Sequence, residues 1–155
     1  MSMKYDKQTE NNFQILYDLD WPTEEYRVFG GGIMSALKLK PWRDIDLVVS
    51  QNLYEWIKEK YKDDYWYSEE THLPIHFNSI PVELGPFPTS LVKNFPNLYN
   101  LDTFWDDYIM IENIPFILMR HTLTYKTNRK NSIYMKVEEK DSSDVKLIKE
   151  YIKTN

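Results

Sequence analysis

The sequence predicts an α+β domain, an α/β-type sandwich in which a mixed sheet carries helices packed on it, on three observations. Residues 26–61 alternate strand, helix, strand, helix. Residues 74–84 and 108–117 each hold two short apolar segments parted by a polar turn, and both ends of the chain place apolar residues at helical spacing. The 155 residues make one domain spanning residues 1–155, a length at which folding buries ~70% of the unfolded surface.

Phe13, Leu16, Tyr17 and Leu19 predict a helix over residues 9–20 that ends near Trp21-Pro22. A strand over Tyr26–Phe29 follows, broken by Gly30-Gly31-Gly32, and residues 33–40 have the composition of a short helix closed by Pro41. From Asp44 the pattern is strand again. Ser50 is the expected N-cap of a helix with Leu53, Trp56, Ile57 and Tyr61 on one face. PIHF and IPVEL predict an antiparallel pair turning at Asn78-Ser79. Residues 86–107 hold several prolines and aromatic residues in no clear period and are expected as packed loop. YIMI and IPFI predict a hairpin about Glu112-Asn113, and Met119–Lys126 a helix. The last helix is expected to be capped near Ser142 or Ser143, with Val145, Ile148 and Ile152 facing inward.

Composition excludes several classes. Twenty-four acidic against 19 basic residues leave a net charge of -5 and no basic stripe, which disfavours tight non-specific binding to nucleic acid. With no Cys there are no disulfides, thiolate metal sites or cysteine nucleophiles. The polar start MSMKYDKQTENN has no signal core, and no apolar run approaches the ~20 residues that span a bilayer. The expectation is a cytoplasmic chain with no membrane partner.

Chemistry concentrates between Val28 and Val49. Of three acid-x-acid pairs, about the number chance supplies, only Asp44/Asp46 opens an apolar strand-like run. Residues two apart on a strand share a face, so Asp44 and Asp46 would project together while Ile45 and Leu47 enter the core. Two close carboxylates repel unless a cation compensates them, and an oxygen-only set suits Mg²⁺ or Mn²⁺. Taken alone, the pair reads better as a solvated strand end with two surface acids. Gly30, Gly31 and Gly32 are three of the chain's four glycines, and their unobstructed amides at a strand-to-helix turn could bind phosphate; a plain turn is the alternative. They match neither a Walker A loop nor the dinucleotide G-x-G-x-x-G.

The order of these features carries more than either alone: glycine turn, short helix, then Asp-x-Asp twelve positions after Gly32. In this the chain resembles the nucleotidyltransferase superfamily, the DNA polymerase beta-like fold, whose motif is a Gly-Gly or Gly-Ser turn followed after about a dozen residues by D-h-D/E. The RDID wording at Asp44 is similar to the lincosamide-type and small bacterial members, and the resemblance covers residues 26–84. It implies a nucleotidyltransferase-like mixed sheet and a metal-dependent transferase that moves a nucleoside monophosphate from an NTP to an acceptor hydroxyl. Asp44, Asp46 and Glu83 would be its catalytic, metal-binding carboxylates, Glu83 coming from IPVEL. Nucleotide would be held at Gly30, Gly31, Gly32, Ser35 and Arg43, and by Lys126 and Arg129 near a helix end. The chain departs from the pattern at the turn, where Gly31 or Gly32 replaces a serine of many members; Ser35, one helical turn on, is the expected substitute.

The partners implied are an NTP and an acceptor the sequence does not identify. Alternatives from other classes are a catalytically silent module of this fold that binds nucleotide or protein and, less favoured, a DxD glycosyltransferase. His72, His76 and His121 lack metal-ligand spacing, though His76 could share a hairpin face with Glu83. Trp42, Phe87 and Trp105 are candidates to line a base or acceptor pocket.

Overall fold

A computed structural model describes residues 4–66, 75–128 and 139–155. It is an α+β structure, a seven-stranded mixed sheet with helices on both faces. Helix α1 (Lys7–Leu19) starts at Asp6, whose carboxylate accepts from the Thr9 amide, and buries Phe13 and Leu16. This cap satisfies a first-turn amide that has no partner within the helix. Strand β1 (Tyr26–Phe29) leads through the glycines into α2 (Gly32–Ala36) and then β2 (Ile45–Val49). Ser50 accepts from the Leu53 amide and caps α3 (Gln51–Lys60), as expected.

Strands β3 (Tyr65–Trp66), β4 (Ile75–Phe77) and β5 (Val82–Pro86) follow, with β4 and β5 antiparallel as expected. Helices α4 (Thr89–Asn94) and α5 (Leu101–Phe104) precede the hairpin of β6 (Tyr108–Ile111) and β7 (Ile114–Ile117). Helices α6 (Met119–Asn128) and α7 (Glu139–Thr154) complete the chain. The strand order is β3-β4-β5-β2-β1-β7-β6, with β1 parallel to β7 and β2 parallel to β5.

Alternation along the central strands sorts residues onto two faces. Val28, Ile45, Leu47, Val49, Val82, Leu84, Ile114 and Phe116 enter the main core with α1, whose Phe13 meets the rings of Trp42 and Phe116 edge-on or tilted. Phe29 and Ile117 face the other way into a smaller cluster with Leu91 and Phe104. Both faces of β7 are therefore covered, and all four of its residues are buried.

Several sequence expectations need correction. Residues 86–107, expected mostly as packed loop, also hold two short helices: Leu91 and Phe104 supply one fully buried apolar residue in each, too few to show a period, and both lie on the second face. The helix expected over residues 33–40 stops at Ala36, and Lys38 takes a left-handed φ of 65°. The last helix begins at Glu139, before Ser142 and Ser143, and Ile152 is 48% exposed. Trp42 does not line a pocket; it is 2% exposed in the main core. The expected Arg129 falls outside the described residues, as does His72.

Candidate functional site

The register of the sheet brings two of the three expected carboxylates together. Asp46 on β2 lies opposite Glu83 on parallel strand β5 and opposite Phe29 on β1, and Glu83 in turn lies opposite His76 on β4. Their odd-even neighbours Ile45, Leu47, Val82 and Leu84 are in the main core, so Asp46 and Glu83 share the other face. A row His76–Glu83–Asp46–Phe29 thus crosses four strands. Glu83 Oε1 stands 3.0 Å from His76 Nδ1, with the glutamate side chain 47% exposed and the imidazole 22%. Asp44 lies one residue before β2 and is exposed; its carbonyl accepts from the Trp42 indole N–H at 3.0 Å, which pins the strand entry to the core. Arg43 is exposed beside it.

The glycine turn backs directly onto this row. Gly30 has φ 70°, open to glycine at little cost, and a Cβ there would lie 3.3 Å from Asp46 Oδ2. Its carbonyl accepts from the buried Thr122 hydroxyl at 2.8 Å, tying the turn to α6. One turn of helix further, Lys126 reaches the next glycine, its Nζ lying 4.0 Å from where a Gly31 Cβ would stand. Gly32 is required by packing instead, because a Cβ would meet Val28 Cγ1 at 2.5 Å and the Trp42 ring at 3.4 Å. Thus Gly31 is the partly exposed position of the turn, while Gly30 is buried against Asp46 and Gly32 is closely packed.

Lys126 is 7% exposed and does not stand alone. Its Nζ is 2.8 Å from Asp144 Oδ2 and 3.6 Å from Asp141 Oδ1, and Lys40 also binds Asp144, at 2.8 Å. Among the described residues Lys126, Asp141 and Asp144 are buried and Lys40 partly buried, and each buried charge meets one of opposite sign, the condition under which buried charges are tolerable. Burial alone would raise the Asp144 carboxyl pKa, but hydrogen bonds from Lys126 and Lys40 outweigh it and hold it below the ordinary carboxylate range. Ser35, the expected phosphate ligand, is 1% exposed within α2, and its Oγ has no hydrogen-bond partner. It lies beneath the surface that the turn presents.

Thr122, Lys40 and Asp144 were not singled out by sequence reasoning. The spacing of Asp141 and Asp144, three residues apart on one helix face, is the signal that points to a paired cation. Of the aromatic candidates, Phe87 and Trp105 pack on each other, ring centroids 5.1 Å apart, on the face that carries Asp46.

The donor set contains oxygens only and fits Mg²⁺ or Mn²⁺. Among the described residues no three His, Cys, Asp or Glu groups are gathered into a ready-made metal set. Magnesium does not need one, since it is commonly held by one or two carboxylates with phosphate oxygens and water supplying the rest. Among the same residues no helix is long and apolar enough to cross a membrane. Comparison with protein-family models, with curated proteins and with solved structures gives no match for the chain.

Proposed function

We infer that the chain is a metal-dependent nucleotidyltransferase, moving a nucleoside monophosphate from an NTP to an acceptor hydroxyl. The observation that carries this reading is the register pairing of Asp46 with Glu83, with Gly30 of the turn against the Asp46 carboxylate and Lys126 against Gly31. Asp46 and Glu83, with Asp44 at the strand entry, would hold Mg²⁺. The metal would supply charge neutralisation at the phosphates and acidify the acceptor hydroxyl. Gly31, the partly exposed glycine, would let phosphate approach the backbone without a side chain of its own in the way. Lys126 offers a cation whose position Asp144 fixes. Glu83, half-exposed, would take the acceptor proton in this reading.

A second reading is a silent module of the same architecture that binds nucleotide or a protein. The engagement of Glu83 by His76 favours it. Calorimetry separates binding from its absence: Mg²⁺-dependent NTP binding that disappears in Asp46→Asn is expected under the first reading. Binding unchanged in Asp46→Asn and Glu83→Gln would remove the carboxylates from the site. Pyrophosphate release from NTP with a panel of hydroxyl acceptors, lost in Glu83→Gln, then separates transferase from binder.

A further inference from the structure

Two adjacent glycines leave the peptide between them free to turn over. Gly30 holds a left-handed φ of 70°, and Gly31 has φ -84°. Turning that peptide over would carry Gly31 to a positive φ, which glycine takes at little cost. No side chain of either residue selects between the two orientations. The choice matters chemically, because a trans peptide points its C=O and its N–H in opposite directions. One orientation presents a donor to a ligand at Gly31, the other an acceptor.

Helix α6 makes the choice. A threonine within a helix ordinarily bonds a carbonyl of its own helix, as Thr124 does with Arg120 at 3.0 Å. Thr122 instead gives its buried hydroxyl proton to the Gly30 carbonyl at 2.8 Å. That oxygen therefore faces Thr122, and the Gly31 N–H, at the other end of the same peptide, points away from it. Among the described residues this N–H donates to no acceptor, and Gly31 is partly exposed.

Lys126 lies four residues after Thr122, on the same face of α6, with its Nζ 4.0 Å from where a Gly31 Cβ would stand. An oxyanion at Gly31 would thus meet an N–H dipole beside a cation; with the peptide reversed it would meet a carbonyl oxygen. We propose that Thr122 is a positioning residue that sets the polarity of the Gly30–Gly31 peptide, so that the turn takes the phosphate chain of a nucleotide through the Gly31 N–H. The identity of the ligand rests on the nucleotidyltransferase reading; the orientation of the peptide does not.

The probe is inorganic tripolyphosphate with Mg²⁺, the part common to every NTP, titrated into the whole chain by calorimetry and amide NMR. The wild-type Gly31 amide should shift on titration. Thr122→Val keeps the side-chain shape without the donor. It should turn the Gly31 N–H vector, read from residual dipolar couplings in the free protein, and weaken tripolyphosphate about tenfold. Thr122→Ser keeps the donor and should bind within about twofold of wild type. Serine loses a buried methyl that valine keeps, so an effect of packing alone would fall on Thr122→Ser instead. Equal binding by the two variants overturns the proposal, as does an unturned N–H in Thr122→Val. So does a wild-type Gly31 amide that tripolyphosphate leaves unmoved, a measurement that decides even where Thr122→Val does not fold. The nucleotidyltransferase reading fails separately: tripolyphosphate bound by this rule, with no pyrophosphate released from NTP, keeps Thr122 in its role and removes the transferase. Mg²⁺-dependent NTP binding that Asp46→Asn abolishes, but that is equal in Thr122→Val and Thr122→Ser, keeps the reading and removes Thr122.

Discussion

Asp46 and Glu83 occupy one register position on neighbouring parallel strands, while the Glu83 carboxylate is held 3.0 Å from the His76 ring on its far side. In the metal-site reading the imidazole competes with the ion for Glu83. A partly exposed polar contact of this kind is worth about 0–1 kcal/mol, so His76→Ala should raise Mg²⁺ affinity by up to about fivefold. Glu83→Gln should lower it by more than that. Calorimetric titration of Mg²⁺ in the presence of NTP reads both, and a fall in His76→Ala would make the imidazole a ligand.

The three glycines should respond differently to alanine. Gly32→Ala drives a methyl into Val28 and Trp42 and should cost about 1–3 kcal/mol by overpacking. Gly30→Ala meets a left-handed φ as well as the Asp46 carboxylate, costing about 1–2 kcal/mol. Gly31→Ala meets only the end of Lys126 at 4.0 Å and should leave urea midpoints nearly unchanged. If the turn binds phosphate, the same methyl weakens NTP binding about tenfold. Gly31→Ala with unaltered stability and unaltered binding would take the turn out of the site.

Wherever side-chain period was strong, the sequence was a sufficient guide. Tyr26–Phe29, the Ser50 cap and the β6–β7 hairpin lie where alternation and turn residues place them. Asp46 and Glu83 share a face because each is flanked by residues that must enter the core, a local constraint readable without a structure. The pairing of β2 with β5 was not readable from periodicity, since register between parallel strands is set by contacts distant in sequence. For the same reason Thr122 on the Gly30 carbonyl, 92 residues away, left no local mark. Helical spacing from the turn points to Ser35, but that spacing cannot say whether a helix of five residues is covered on every side.

Arg27 is a buried cation that the site does not use. Its guanidinium lies 4.4 Å from the Trp105 ring centroid and 3.9 Å from that of Tyr108, and it donates to the carbonyls of Thr23, Tyr26 and Trp105. Burial lowers its pKa, with Tyr108, Asp106 and Glu24 opposing that. Lysine keeps the charge but neither the planar stack nor the divergent donors. Arg27→Lys should therefore cost about 2–3 kcal/mol through carbonyls left without partners, measured by urea unfolding. A loss below the uncertainty of that measurement would show that water replaces the lost donors.

Asp144 makes the acid stability of the fold a test of the Lys126 cluster. Its carboxyl is held below the ordinary value, because the hydrogen bonds from Lys126 and Lys40 outweigh burial. The unfolded chain then binds the proton at higher pH than the native chain does, so stability rises with pH across that window. The contribution is complete above an unfolded value of about 3.9 and is lost as pH falls through the lower native value. Asp107, held low by Arg120 and His121, adds an acid limb of the same sign. The difference between wild type and Asp144→Asn isolates the cluster. At pH 7 the variant should be about 3 kcal/mol less stable, since buried Lys126 and partly buried Lys40 lose a shared partner while Lys126 keeps Asp141. Urea unfolding from pH 7 to pH 3 should then show the two stability curves converging as acid is added. Parallel curves would mean that Asp144 keeps its ordinary pKa, and that Lys126 is held at the glycine turn by packing and by Asp141.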